Sequence, residues 1–178
     1  NDMRFSDERV QASRNFCNKI WNASRFIQMN LTIDKDKAVQ LPADLTIEDK
    51  WILSKFNTLV ADVTRNIDQY ELGLAAAKLN DFIWENFCDW YIEICKTRLN
   101  GEDAAAADAA RKVLVYVLDK ALKLLHPFMP FITEEIYQAL PGSAETIMNE
   151  KWPGDENMKV WAEDCADFEK LMDYIKAV

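Results

Sequence analysis

Apolar residues recur every three or four positions along most of this chain, which is the spacing that an amphipathic α-helix requires. The pattern predicts helices over residues 6–30, 46–67, 71–99, 103–125, 131–140 and 162–176. Polar segments rich in Asp, Asn, Pro or Gly separate them. Because no stretch shows the alternating pattern of a strand, the prediction is an all-α fold, a helical bundle of about five to six helices.

Residues that favour helix ends lie at the predicted boundaries. Thr46 and Asp49 have the spacing of a capping box, with Asp in place of the usual Glu, and they predict the start of the second helix. Asn100 and Gly101 favour the end of the third helix. Two prolines, Pro127 and Pro130, divide the apolar stretch KLLHPFMPFITEEIYQAL at residues 123–140.

That stretch also holds the only histidine, His126, and could mark either an active site or a corner between two helices. Pro127 disfavours helical backbone at the residue before it, whereas Pro130 suits the first turn of a new helix. The pattern therefore predicts a corner, in which His126 binds helix-end carbonyls. It also predicts that four apolar residues fill the core there: Phe128, Met129, Phe131 and Ile132. A catalytic role for His126 would need a nucleophile or carboxylate partner, and the sequence places none beside it.

A projection of the first helix at 100° per residue separates two faces. The core face is centred on Ile20 and contains Ser13, Phe16, Cys17, Ser24 and Ile27. A second face contains Asn15, Lys19, Asn22 and Phe26. Phe26 is therefore predicted to be a large aromatic residue outside the core, among polar neighbours.

The third helix gives a similar result. Its predicted core face contains Leu72, Ala76, Leu79, Ile83, Phe87, Trp90 and Ile94. About 140° away lie Asp89, Ile92, Glu93 and Lys96. Ile92 is therefore predicted to be an exposed apolar residue between charged ones.

Two interpretations of these second faces are open. In a bundle, Phe26 would ordinarily pack on another helix, and Glu93 with Lys96 would form a solvated ion pair. The combination of an aromatic ring, amides, lysines and a carboxylate also suits an unpaired nucleic-acid base. A ring stacks on the base, a carboxylate accepts a hydrogen bond from its amino group, and lysines bind phosphate.

Length and composition predict one domain. The chain has 178 residues, of which only four are glycine, and 178 residues suffice for one sizeable core. Within it, residues 1–142 are predicted to form the bundle core, and residues 143–178 a loop and an acidic helix that leads out of the domain. Since the sequence starts at Asn1 rather than at Met, it is interpreted as an excised segment.

The net charge of −9 argues against a non-specific nucleic-acid binder, which is normally basic. The charge is uneven, because residues 1–30 hold five Lys and Arg against three Asp and Glu. Four cysteines without a CxxC pair, in a chain with one histidine, predict reduced thiols and no metal site. No leader or membrane-spanning stretch is evident, and the expected location is the cytoplasm.

Five stretches of the sequence resemble one known family. SRNFCNKIWNASRF at residues 13–26, the preceding DMRFS, and FCDWYIE at residues 87–93 resemble the anticodon-binding domain of valyl-tRNA synthetases. LLHPFMPFITEEIY at residues 124–137 is similar to the related valyl, isoleucyl and leucyl enzymes together, and Trp152-Pro153 also fits. The resemblance covers essentially the whole chain.

The resemblance implies a helical bundle that binds the anticodon stem and loop of the valine tRNA. It implies base-reading roles for Lys19, Phe26, Ile92, Glu93 and Lys96. Arg4 fits a backbone-contacting arginine at the domain entrance, and Asn15 and Asn22 share the face of Lys19. A further family arginine corresponds to Glu8, with Arg9 adjacent.

The resemblance also implies what this chain does not do. The ATP-handling signatures of the parent enzymes, His-Ile-Gly-His and Lys-Met-Ser-Lys-Ser, do not occur in it. We therefore expect a binding module without catalytic residues or cofactors. In the parent enzyme, which uses ATP and magnesium, its intramolecular partners would be the catalytic, editing and C-terminal coiled-coil domains. The alternatives are an acidic helical scaffold for protein–protein interaction and the equivalent domain of an isoleucyl or leucyl enzyme.

Overall fold

The computed structural model describes residues 6–32, 37–154 and 159–177. Its α-helices are α1 (Asp7–Met29), α2 (Ile47–Asp68), α3 (Leu72–Asp81), α4 (Ile92–Leu99), α5 (Ala104–Leu125), α6 (Pro130–Gln138) and α7 (Ala162–Lys176). A π-helical segment, Phe82–Tyr91, joins α3 directly to α4, and a 3₁₀ turn, Ile147–Asn149, follows α6. None of the described residues lies in a strand, which confirms the predicted all-α fold.

Four long helical elements enclose the core. We call α3, the π segment and α4 together the composite helix, because they form one unbroken helical run over residues 72–99. It packs against α1, α2 and α5, and α2 also packs against α5. The largest side chains buried in this core are Trp51, Phe56, Phe87 and Tyr91, together with Tyr137 of α6. A single hydrophobic core therefore holds the bundle together.

The C-terminal helix also packs on this core. α7 lies against α2, where Phe168 and Met172 are buried. The ring centroids of Phe168 and Trp51 are 5.3 Å apart, a distance at which aromatic rings attract each other beyond their buried area. No helix in the described part of the chain is both long enough and apolar enough to cross a membrane.

Local signals set several helix boundaries where the sequence predicts them. The capping box of α2 is formed, because the side chain of Thr46 accepts from the backbone of Asp49 and the Asp49 side chain accepts from the Thr46 N–H. Pro130 lies in the first turn of α6, where its missing N–H costs nothing. The C-terminal cap of α5 is His126. These observations confirm the corner at residues 126–130.

Two details of that corner differ from the prediction. Phe131 does not fill the core: its side chain is 91% exposed, because α6 turns that face to solvent, whereas Phe128, Met129 and Ile132 pack against the core. His126 does not bind helix-end carbonyls; its Nδ1 lies 2.7 Å from Oγ1 of Thr133. The Thr133 hydroxyl is directed to the Met129 carbonyl at 2.8 Å, so the His126 Nδ1–H donates to it.

Replacing His126 with alanine is expected to lower the free energy of unfolding by about 1 kcal/mol, the usual net contribution of one hydrogen bond. The remaining Thr133 bonds to Met129 and Pro130 keep that buried hydroxyl satisfied, which limits the loss. Urea denaturation followed by circular dichroism measures the change. A loss several times larger would contradict the interpretation of His126 as one link in a corner.

The π segment changes which side of the composite helix is buried. Along the composite helix, one row of buried residues recurs every four positions: Leu79, Ile83, Phe87, Tyr91, Cys95 and Leu99. An α-helix repeats every 3.6 residues, whereas π-helical i→i+5 bonding takes more residues per turn and delays the rotation. A projection at 100° per residue therefore assigns the wrong side of the helix to residues that follow the start of the π segment.

This change of phase makes the prediction for Ile92 wrong. Ile92 is buried, with 5% of its surface exposed, and belongs to the core. Leu72, predicted to be in the core, is 53% exposed, and Trp90 and Ile94 are half-buried against the core. On α1, by contrast, Phe16, Ile20, Ser24 and Ile27 are buried as predicted, although Ser13 is exposed and Cys17 only half-buried.

Candidate nucleic-acid interface

α1 and the composite helix lie side by side and run in the same direction. Lys19 of α1 pairs with Asp89, and Phe26 of α1 contacts Lys96. Both members of the second contact lie seven residues beyond those of the first, which is the pattern of two parallel helices. Seven residues correspond to two turns, or about 10 Å along the axis. We call this surface the paired face and define it by Lys19, Phe26, Trp84, Asp89, Glu93 and Lys96.

The first cluster on the paired face joins three of the predicted residues. Nζ of Lys96 lies 2.7 Å from both carboxylate oxygens of Glu93 and 5.6 Å from the centroid of the Phe26 ring. Phe26 is half-buried because one side of the ring packs against the core. The prediction that it lies outside the core is therefore only partly right: the ring is anchored in the core and reaches the surface.

The second cluster has the same chemical composition. Lys19 donates a hydrogen bond to Oδ1 of Asp89, and its Nζ lies 5.1 Å from the centroid of the Trp84 ring. Each cluster thus consists of one lysine, one carboxylate and one aromatic ring, with the lysine over the ring in a cation–π contact. The sequence did not single out Trp84 as a site residue, and Asp89 appeared only as a neighbour of Glu93.

The other predicted site residues are distributed as follows. Asn15 and Asn22 are exposed on α1, as predicted. Ile92 is buried and does not lie on the paired face, so it can only support the face from beneath. Arg4 lies outside the described residues. Glu8 and Arg9 are exposed in the first turn of α1.

The paired face balances its own charge. It holds two lysines and two carboxylates, each paired across a short distance. The carboxylates are the more accessible partners, because the side chains of Asp89 and Glu93 are 45% and 57% exposed, against 31% and 42% for Lys19 and Lys96. A ligand that approaches this face therefore meets hydrogen-bond acceptors first. Such an arrangement suits groups that donate, such as the exocyclic amino group of a base.

A buried polar network fixes the composite helix behind this face. Asp49 of α2 is fully buried, and its Oδ1 accepts hydrogen bonds from the Tyr91 hydroxyl at 2.6 Å and from Arg98 at 2.7 Å. Burial raises the pKa of Tyr91 well above its ordinary value, so its hydroxyl remains a donor. Burial lowers the pKa of Arg98, but the hydrogen bond to Asp49 raises it, and the net direction is upward.

The two buried cysteines supply no reactive group to the face. Burial raises the pKa of the Cys88 and Cys95 thiols to about 12, so neither forms a thiolate near neutral pH. Cys17 and Cys165 are half-buried, and all four thiols are free. Among the described residues, no group of three or more His, Cys, Asp and Glu side chains is arranged to hold a metal ion.

Comparisons with known proteins agree with the resemblance in the sequence. Residues 49–178 match the model of a family described as the anticodon-binding domain of tRNA ligase. The chain is 48% identical over 177 residues to a valine–tRNA ligase of Bacillus cereus, and 46% identical over 178 residues to that of Staphylococcus epidermidis. Each alignment covers 99% of this chain but 20% of the relative, so the chain spans about a fifth of the length of these relatives.

Proposed function

Because the chain belongs to the anticodon-binding domains of tRNA ligases, we propose that it binds the anticodon stem and loop of tRNA with its paired face. We further propose that the cognate tRNA is the valine isoacceptor and that the longer protein is an ATP-dependent valine–tRNA ligase. The similarity to valine–tRNA ligases over 99% of the chain supports this choice over an isoleucyl or leucyl enzyme. The family match does not favour the acidic protein–protein scaffold.

The contact of Phe26, Glu93 and Lys96 is the observation that carries this proposal. It brings together a stacking surface, a hydrogen-bond acceptor and a cation from two different helices. Valine anticodons end in A followed by C, and both bases carry an exocyclic amino group where G and U carry a carbonyl. In this mechanism Glu93 accepts from one amino group, Phe26 stacks on the base, and the lysines neutralise phosphate.

The ion pair between Glu93 and Lys96 must open for this to occur, because Lys96 holds both Glu93 oxygens. An exposed pair of this kind contributes about 0–1 kcal/mol. A base-edge hydrogen bond contributes about 1–3 kcal/mol of discrimination, and stacking on Phe26 about 1–3 kcal/mol of affinity. The exchange therefore favours the bound state: Lys96 moves to phosphate and Glu93 to the base.

A hairpin titration tests the proposal. The 178-residue chain is titrated at low salt with a valine anticodon hairpin of about seventeen nucleotides, which presents its loop bases unpaired, and with the same hairpin in which the middle A is U. The A hairpin is expected to bind more tightly, and Phe26→Ala or Glu93→Ala should remove most of that preference. Asp108→Ala, which removes an exposed carboxylate paired with Lys112 on α5, is the control.

Two results would contradict the proposal. One is equal affinity for both hairpins that neither substitution changes, since only general attraction would then remain. The other is the absence of binding at millimolar hairpin, measured from shifts in the amide spectrum of the protein.

A further inference from the structure

The paired face carries a second carboxylate that has no role in the mechanism above. Asp89 lies four residues before Glu93 on the composite helix, which is about one turn and about 6 Å along the axis. Its side chain is 45% exposed, and it faces α1, where it binds Lys19. Asp89 is thus nearly as accessible as Glu93 and lies on the same side of the same helix.

The surroundings of Asp89 repeat those of Glu93. In each case the carboxylate holds a lysine, and that lysine lies over an aromatic ring: Lys19 over Trp84 at 5.1 Å, and Lys96 over Phe26 at 5.6 Å. Both clusters span the same two helices: α1 supplies the lysine of one cluster and the ring of the other, and the composite helix supplies the remaining groups. The paired face therefore contains two sites of the same composition, each with an acceptor, a cation and a ring, and their two carboxylates lie about one turn apart.

We infer that Asp89 and Glu93 read two consecutive bases, each carboxylate accepting a hydrogen bond from the exocyclic amino group of one base. This inference rests on the proposed function and adds a specificity-determining residue to it. Lys19 leaves Asp89 for a phosphate when RNA binds, as Lys96 leaves Glu93. The spacing of about one turn suits two neighbouring unstacked bases, and an A followed by C supplies an amino donor at both places.

With two carboxylates, this face is expected to reject bases that present a carbonyl oxygen in place of an amino group. An ionised carboxylate can only accept hydrogen bonds. If the base presents a carbonyl oxygen instead of an amino group, no hydrogen lies between the two oxygens, and the two partially or fully negative atoms repel each other. An amide in the same position has a carbonyl oxygen and an NH₂ group, and it can satisfy either kind of base. Replacing Asp89 with asparagine should therefore relax the choice of base without a large loss of binding.

The test uses three hairpins with the 178-residue chain and its Asp89→Asn and Glu93→Gln variants. One hairpin has the valine loop, one has inosine in place of A, and one has U in place of C. Each change converts an amino group into a carbonyl without altering the size of the ring system. The wild-type chain should bind each altered hairpin roughly tenfold more weakly or worse.

The two variants are expected to lose preference at different bases. Glu93→Gln should bind the valine and inosine hairpins equally while still rejecting the hairpin with U in place of C, and Asp89→Asn should show the reverse. The matched control is Asp108→Asn on α5, because Asp108 is also an exposed carboxylate paired with a lysine, with 44% of its side chain exposed. It should keep the wild-type preference at both bases.

The outcomes separate this inference from the proposed function. If Asp89→Asn keeps the full preference at both bases, or if both variants lose it at the same base, Asp89 reads no second base, while the function assigned to Glu93 stands. If the wild-type chain prefers neither amino base, or binds no hairpin at millimolar concentration, the proposed function fails and this inference fails with it. Circular dichroism of each variant checks that the helical fold is kept.

Discussion

Replacing Asp49 with alanine is expected to lower the free energy of unfolding by about 3–5 kcal/mol, the usual cost of removing one partner from a buried ion pair. Asp49 is fully buried, and the side chain of its partner Arg98 is 13% exposed. Without the carboxylate, Arg98 keeps only weaker contacts at 3.1 Å with Thr46 and 3.4 Å with Glu48, and the Tyr91 hydroxyl loses its acceptor. Urea denaturation followed by circular dichroism measures the loss.

A second acidic residue on the same protein provides the control. Asp164 of α7 pairs with Lys50 of α2 at 3.0 Å, but the two side chains are 32% and 30% exposed. Because water already solvates this pair, Asp164→Ala should cost about 1 kcal/mol at most. If both substitutions cost the same, burial would not be the reason for the importance of Asp49.

A double substitution separates two contributions to this loss: the cost of leaving the Arg98 charge unpaired and the stabilisation from the ion pair itself. Changing Arg98 to methionine in the Asp49→Ala background removes the buried guanidinium, so the double variant should be more stable than the sum of the two single losses predicts. The network also connects α2 to the part of the composite helix that carries Glu93 and Lys96. Its loss is therefore expected to weaken hairpin binding even though none of its members lies on the paired face.

Helix positions were predictable where local chemistry decides them. The start of α2 follows from Thr46 and Asp49, and the corner after α5 follows from Pro127 and Pro130. These signals act through backbone groups a few residues away, so the sequence alone is sufficient. The structure places both boundaries within one residue of the predicted positions.

The burial of Ile92 was not predictable from a regular projection. Counting from the core position Leu79, a helix with 3.6 residues per turn places Ile92 far from the core. In the ten residues of the π segment, each residue turns by a smaller angle about the helix axis than in an α-helix. The side chain of Ile92 is therefore directed into the core. The sequence FIWENFCDWY does not indicate a π-helix, because its apolar residues also fit an α-helical repeat.

The same limit applies to the paired face. The regular period of α1 was enough to place Lys19 and Phe26 on a second face, and the family resemblance supplied their roles. Trp84 and Asp89 belong to the site only because Lys19 of α1 contacts them. The pattern of residues within one helix does not predict which other helix packs beside it. The sequence thus indicated the two helices and most of the groups, but not that they form two clusters of the same composition.

The net charge of the chain says little about this face. The protein carries a charge of −9, yet the four charged residues of the paired face sum to zero. General electrostatic attraction to RNA is therefore weak, and affinity must come from lysines that exchange a carboxylate for a phosphate. Lys19 and Lys96 are therefore the charged residues of the proposed interface whose loss should weaken RNA binding most.

Changing Lys19 and Lys96 together to glutamine is expected to lower affinity for the valine hairpin roughly 200-fold at about 20 mM salt. On a single strand each neutralised phosphate contributes about 0.7 to the slope of log affinity against log salt, which extrapolates to more than tenfold per lysine at that salt concentration. The slope itself should fall by about 1.4. Unlike Asp89→Asn, this change should weaken amino and carbonyl hairpins alike, because phosphate contacts carry no base information.

Fluorescence anisotropy over a series of salt concentrations measures both quantities. The control is the double variant Lys112→Gln and Lys170→Gln, which removes two exposed lysines that also pair with carboxylates, one on α5 and one on α7. It removes the same net charge from the protein, so it shows how much of the loss is general attraction. If the two double variants lose affinity and slope equally, Lys19 and Lys96 bind no phosphate. If affinity and slope fall only in the Lys19 and Lys96 variant, these two lysines leave Asp89 and Glu93 and bind phosphate when RNA binds.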